Sequence, residues 1–480
     1  MFLGNFWYNW GNKKSMKYKL ISFALLASVL MTTGASCTKG PSAPVAAKMQ
    51  PVTLNYWRVW DGPDDFREII NKYKALHPNV TVVYRKLRIE EYESELLNAL
   101  AEDRGPDIFS INVNQLRQYK SKLAPLPAET SMVYMVEQGT IKKELVPELR
   151  VTPSIRNNQV RDLYIDTVGK DVIFEYDNVA AKTKEQRVWG LPLYMDTMAT
   201  FYNKDLLNNA GIAELSDYWG NDKFKKDLKK LTKQDEQGNI LQSGMALGTG
   251  TNIDRSYDVL AALMMQNGAT IIDDQGRVAF RNIIRGKDYN PGIDAARFYA
   301  DFADPTKDVY SWNAQLNNSL EMFMQGRLAV MYGYAYMLPI IKAQAPKLNY
   351  SVRKFPQIEG SSVASNVADY YVEVVSKKSK FKDEAWDFVQ FATTKPDNVR
   401  SYLKSTKKLA AIRSIIDEQK TDESLGVFAE QLFSARTWYR GINYAEAVKS
   451  FVGMLEAITK NPENFEQELK IMEGRLKQTL

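Results

Sequence analysis

Between Thr53 and Ile111 three short apolar runs alternate with two amphipathic stretches, and that alternation leaves few folds open. Residues 53–57 read as a buried strand. Pro63, Asp64 and Asp65 then open a helix in which Phe66, Ile69, Ile70, Tyr73 and Leu76 recur at helical spacing. Residues 80–84 form the next strand. A second helix carries Tyr92, Leu96, Ala99 and Leu100 on one side, stops at Gly105-Pro106, and yields to a strand over residues 107–111. The pattern is βαβαβ. Parallel strands joined by helical crossovers build a sheet covered on both faces, and ligands of such sheets sit beyond the carboxyl ends of the strands. Two loops are thereby singled out: Arg58-Val59-Trp60-Asp61 after the first strand and Asn112-Val113-Asn114 after the third.

Further along, residues 190–193 read as a strand, and residues 254–266 and 293–302 as helices. Asp273-Asp274-Gln275-Gly276 lies between two apolar runs, which makes it a hairpin turn before it is a calcium loop. No internal repeat is visible. The α/β pattern continues to the end of the chain.

The residue inventory removes several chemistries. The 480 residues hold one histidine and one cysteine, too few for a Cys/His zinc site, and a Ser-His-Asp triad would have to run through His77. His77 stands in Leu76-His77-Pro78-Asn79, where a helix should end, and reads as a helix-end residue. Gly360-Ser361-Ser362-Val363-Ala364 echoes a nucleophile elbow, but no histidine follows it, so it reads as a loop. Gly248-Thr249-Gly250 lacks the third glycine of a dinucleotide site, and no GxxxxGK[ST] phosphate loop occurs. No cofactor and no metal are expected. Four lysines of the formal +6 lie ahead of residue 20, which leaves the remainder near +2 with the two signs interspersed. Such a surface offers no footprint for nucleic acid.

The lone cysteine, Cys37, follows an apolar run over residues 20–31 that is preceded by Lys17 and Lys19 and followed by Gly34, Ala35 and Ser36. No acidic residue precedes it. A run of this length is short of the roughly 20 residues that span a bilayer as a helix, so residues 1–36 read as an export signal, with Met16 as an alternative start. The small residues before Cys37 resemble the bacterial lipoprotein signal, in which the thiol is acylated and the chain is cut just before it. That pattern favours Leu where Gly34 stands. Residues 37–50, with Gly40, Pro41 and Pro44 and no periodicity, read as a flexible tether.

Four stretches in order carry a wider resemblance: Gly105-Pro106-Asp107-Ile108; Gly190-Leu191-Pro192-Leu193-Tyr194-Met195-Asp196 through Tyr202-Asn203-Lys204-Asp205-Leu206; Phe323 through Gly326-Arg327-Leu328-Ala329-Val330-Met331; and Ala385-Trp386-Asp387-Phe388. With them the chain from residue 51 to 480 resembles the extracellular solute-binding proteins of bacterial ABC importers, in the family that includes maltose-binding and other sugar-binding proteins. The resemblance implies two α/β lobes, each a mostly parallel sheet flanked by helices, joined by a hinge of crossing strands. It places the crossings near residues 196–199 and 355–364, with lobe one at 51–196 and 360–410 and lobe two at 197–359 and 411–480.

Carried across by position, the cleft residues correspond to Trp60, Asp61, Asn112, Asn114, Asp196, Tyr334, Tyr336 and Trp438. Topology had already singled out the first four. A sugar presents apolar C–H faces to aromatic rings and hydroxyls to fixed donors and acceptors, and Trp, Tyr, Asn and Asp supply both. Against this stands the abundance of aromatics, 9 Trp, 26 Tyr and 20 Phe, most of which must serve the core. Asp196 has a structural alternative as a tie between hinge strands, and Trp386 and Phe388 fall on the periodic face of a core helix.

The implied protein is a monomeric surface lipoprotein, held at the outer face of the cytoplasmic membrane by Cys37, that passes a mono- or oligosaccharide to ABC permease subunits and catalyses nothing. A secreted glycan hydrolase with paired carboxylates, or a surface signalling partner built on the same fold, are the rival readings. Amino acids and opines stay open as ligands.

Overall fold

The computed structural model describes residues 42–140, 143–178, 181–283, 288–361 and 364–480. Cys37 and the apolar run of the leader lie outside the described residues. The chain divides into two compact units at Met49/Gln50. The described part of the first holds a short helix, Ala43–Lys48, with Pro44 in its first turn, where the sequence reading expects an unstructured tether. Among the described residues no helix is long and apolar enough to cross a membrane.

In the second unit the βαβαβ start forms as its pattern dictates. Strands Val52–Arg58, Val80–Lys86 and Ile108–Asn112 pair in parallel with the first in the centre. Helix Pro63–Leu76 buries Phe66, Ile69 and Tyr73 against them, and Ile89–Ala101 buries all four of its predicted apolar residues. Leu76, at the end of its helix, is exposed. His77 caps that helix and is buried, its Nδ1 at 2.8 Å from the Val133 carbonyl oxygen. The 273–276 turn is closed by Asp273 itself, whose Oδ1 accepts the amide hydrogens of Gln275 and Arg277 at 3.0 and 2.9 Å. Trp386 and Phe388 are buried in helix Lys382–Thr394.

Two sheets organise the unit. The first runs Val80–Lys86, Val52–Arg58, Ile108–Asn112, Tyr371–Ser376, Leu123–Ala124, with Leu191–Pro192 also on the Tyr371 strand. The second runs Lys233–Gln234, Ile240–Met245, Leu328–Tyr334, Asp196–Asn203, Asn366–Asp369, Ala435–Arg436, with Tyr350–Arg353 also on the Asp196 strand. Both sheets are mixed, not mostly parallel. Each receives strands that return from the other lobe and enter against the local direction: Tyr371–Ser376 runs antiparallel to Ile108–Asn112, and Asp196–Asn203 antiparallel to Leu328–Tyr334.

The chain passes from the first sheet to the second over residues 193–195 and returns at Tyr370. That return is later than residues 355–364, because Asn366–Asp369 still pairs with Asp196 and Thr197 on one side and with Ala435 and Arg436 on the other. The last passage falls between helices Arg413–Gln419 and Gly426–Ala429. Before it, Ile412 bridges to Tyr164 and Glu418 pairs with Arg400 in the first lobe, whereas Phe428 already packs 6.1 Å from Phe201 of the second sheet. After it, helices Tyr444–Lys460 and Phe465–Lys477 cover the second. Two antiparallel ribbons, Glu129–Gln138 with Glu144–Pro153 and Ile173–Asn178 with Thr183–Val188, belong to neither sheet and had no clear signal in the sequence.

Candidate functional site

At the carboxyl end of Val52–Arg58 the backbone turns, sending Asp61 into the lobe and Trp60 out of it. Arg58 is buried with Nη1 3.2 Å from Asp61 Oδ2 and Nη2 3.2 Å from Glu373 Oε1, and its guanidinium lies over the Phe66 ring. Asp61 also accepts from Lys408 Nζ at 2.6 Å and from the Tyr402 hydroxyl at 2.7 Å, while Tyr56 donates to Glu373 at 2.7 Å. Burial alone would raise the Asp61 carboxyl, but Arg58 and Lys408 outweigh it and hold it below its ordinary range. Asp61 is therefore committed to this network. Trp60 is 46% exposed and stands edge-on to Tyr371 at 6.2 Å, a residue on the returning strand.

A second set of contacts gathers around Asp369, the last residue before the return. Asn112 Nδ2 donates to Asp369 Oδ1 at 2.7 Å, and Arg255 Nη2 donates to Asp369 Oδ2. Asn112 Oδ1 in turn accepts from the backbone and side chain of Asn114, both at 3.0 Å, and Asn114 Oδ1 is buried with no hydrogen-bond partner among the described residues. Arg255 occupies the left-handed region at φ 60°, uncommon for a side chain of this size, at the start of helix Ser256–Gln266. Its guanidinium lies 4.6 Å over the Tyr334 ring and reaches Asp258 Oδ2 at 3.2 Å and the Tyr257 hydroxyl at 2.8 Å. Asp258 collects Tyr334 and Trp438 as well, each donating at 2.8 Å. A continuous polar chain thus runs from Asn114 in the first lobe through Asn112, Asp369 and Arg255 to Asp258 in the second.

The remaining expected positions fall around this chain in two classes. Tyr336 is 43% exposed and stacks on the buried Tyr334 at 5.9 Å. Trp438 is 4% exposed, packed 4.7 Å from Phe451 and engaged through its indole nitrogen, so it supports Asp258 and offers no open face. Asp196 is buried and accepts three backbone amides, Thr197 and Ala335 on Oδ1 and Tyr336 on Oδ2, at 2.8, 3.0 and 3.1 Å. That is the structural tie, and it holds the Tyr336 turn against the hinge strand.

Burial pushes the Asp196 carboxyl up to about 7, against the downward pull of its amide donors. The folded state then holds a proton that the unfolded chain has released, so this group's contribution to stability falls as pH rises from about 4 to about 7. Asp196→Asn is expected to flatten that part of the curve, read from urea unfolding across the pH range. An unchanged slope would show that the carboxyl is ionised throughout.

Asp369, Arg255, Asp258 and Tyr371 were not singled out by the sequence. A signal existed for one neighbour: Glu373 is the only charge in Tyr370-Tyr371-Val372-Glu373-Val374-Val375, a run that reads as buried. Asp171 is a further omission, 5% exposed and accepting from Tyr370 (2.8 Å), Thr437 (2.7 Å) and Arg440 (2.8 Å). One carboxylate of the first lobe thereby ties the return at Tyr370 to the segment that follows strand Ala435–Arg436 of the second sheet.

Comparison with known proteins agrees with this architecture. The maltodextrin-binding protein MdxE of Bacillus subtilis is 24% identical over 264 residues, 52% of this chain and 56% of the relative. The galactooligosaccharide-binding protein of the same organism is 20% identical over 433 residues, 88% of each chain. The chain spans about half the length of several curated relatives it matches, MdxE among them. Among solved structures, the cyclic α-maltosyl-1,6-maltose binding protein of Arthrobacter globiformis superposes with a TM-score of 0.68 at 17% identity, covering 89% of this chain and 99% of that one. The family described as bacterial extracellular solute-binding protein matches residues 60–399. That match runs through both sheets, from the exposed Trp60 to the helix Pro396–Thr406, and the chain belongs to this family.

Proposed function

We propose that the protein is an exported, lipid-anchored receptor that captures a small carbohydrate between its lobes and delivers it to a membrane permease. The observation that carries this reading is the pairing of exposed aromatic faces, Trp60 and Tyr336, with the polar chain from Asn114 to Asp258 where the two sheets meet. Trp60, Tyr336 and Tyr371 would stack on sugar rings. Asp369 would take hydroxyl hydrogens, while Asn114, Tyr334, Trp438, Asp196 and the Asp61 network hold the site in shape. Relatives named for maltodextrin and galactooligosaccharide binding support the ligand class.

Binding fits the carboxyls better than hydrolysis. Both oxygens of Asp196 are taken by backbone amides, which leaves it poorly placed to pass a proton to a leaving group. The test is a thermal-shift screen of the mature chain against neutral oligosaccharides, including maltodextrins and galactooligosaccharides, with amino acids and opines as parallel arms. A ligand at about 100 times its Kd stabilises the folded state by about 2.7 kcal/mol, so a true ligand gives a clear upward shift. Stabilisation by an amino acid or opine and by no sugar would replace this reading.

Anchoring rests on Cys37 behind the export signal. Two or more acyl chains suffice for stable attachment, so Cys37→Ser is expected to move the protein from the membrane to the soluble fraction of an expressing bacterium. Equal retention of the serine variant would contradict acylation.

A further inference from the structure

We infer that Asp369 sets the charge of the ligands the cleft admits, favouring neutral sugars and rejecting those that carry a carboxylate. This deepens the carbohydrate-binding reading and rests on it. One guanidinium, Arg255, faces two carboxyls, Asp369 and Asp258, and a third, Asp254, precedes it in the chain. The exposed Tyr336 ring, a surface a sugar would use, lies within electrostatic reach of Arg255, Asp369, Asp196 and Asp254 together. Asp254 stays on this side through the Asn318 amide, which donates to it at 3.0 Å.

Arg255 has little left to offer an incoming anion. Its Nη1 donates to Tyr257 and its Nη2 is held by Asp369, while its Nε is buried 3.2 Å from Asp258, out of reach of an incoming ligand. Asp369 and Tyr257 together therefore occupy the two arms of the fork that a uronate would need for a bidentate contact. The cations on the other side of Trp60 are committed too. Arg58 and Lys408 are matched by Asp61 and Glu373. A carboxylated sugar entering between Trp60 and Tyr336 would meet surplus negative charge at short range in a partly desolvated site, with no free cation from these groups to offset it. A neutral sugar brings hydroxyl hydrogens that these acceptors can take. Discrimination of this kind comes from repulsion of the wrong ligand as much as from attraction of the right one.

The test is calorimetric titration of the mature chain with maltotriose and galactotriose and with their C6-carboxylated counterparts. The natural sequence should bind at least one neutral sugar ten times or more tighter than its carboxylated partner. In Asp369→Asn, which removes one charge and frees Arg255 at similar volume, that ratio should narrow to about threefold or less, even if both affinities fall. Asp254→Asn gives a second reading should the first variant misfold, with the ratio narrowing in the same direction by a smaller factor. A carboxylated sugar bound as tightly as its neutral partner by the natural sequence, or a ratio unmoved in both variants, would overturn the inference while leaving carbohydrate binding intact. Failure of every sugar to bind would instead overturn the carbohydrate reading, and this inference with it.

Discussion

Replacing Arg58 by methionine is expected to destabilise the protein by about 3–5 kcal/mol, the range for removing one partner of a buried ion pair. Arg58 is the shared cation of Asp61 and Glu373, it is buried, and both acids are buried with it. Its loss leaves Glu373 without a counter-ion in the middle of an apolar strand and leaves Asp61 to Lys408 alone. Pairing the change with Glu373→Gln should recover part of the loss, because the stranded charge is gone and Tyr56 can still donate to the amide oxygen. Denaturant unfolding of the single and double variants measures this. A single variant within about 0.5 kcal/mol of the natural protein, as is usual for surface changes, would mean that water reaches this cluster.

Trp60 and Trp438 are expected to part company when each is changed to alanine. Trp60 is half exposed, so Trp60→Ala should leave the melting temperature nearly unchanged and weaken sugar binding at least tenfold, since an aromatic anchor contributes on the order of 2 kcal/mol. Trp438 fills a packed site against Phe451 and donates to Asp258. Its truncation should cost about 3–5 kcal/mol of stability, the range for large aromatic cavities, and strip a donor from a buried carboxylate as well. Affinity and denaturant midpoints measured on both variants decide the matter. If Trp438→Ala unfolds normally and loses only binding, it is a stacking residue, and the role assigned to the Asp258 cluster is wrong.

The legible parts of this chain were those governed by local periodicity. The apolar faces of Pro63–Leu76 and Ile89–Ala101 follow from helical spacing, and the strands they join follow from short apolar runs, so the sites of Trp60 and Asn112 at strand ends could be placed from sequence alone. What could not be read was pairing at long range. Asp369 meets Asn112 across 257 residues and Arg255 across 114, and Asp258 meets Trp438 across 180. No spacing rule connects such residues. The direction of a side chain at a strand end was equally hidden: Trp60 and Asp61 are adjacent, yet one faces out and the other is locked beneath it by Lys408 and Tyr402. Mixed sheets escaped for the same reason, since strand direction depends on which lobe the chain is returning from.

A crystal structure of the mature chain grown with its tightest-binding neutral oligosaccharide tests the central claim most directly. The expected result is a pyranose ring packed on Trp60, with hydrogen bonds to the ligand from both lobes and Asp369 among the partners. A sugar seated on one lobe only, or away from Trp60 and Asp369, would contradict capture in the cleft between the two sheets.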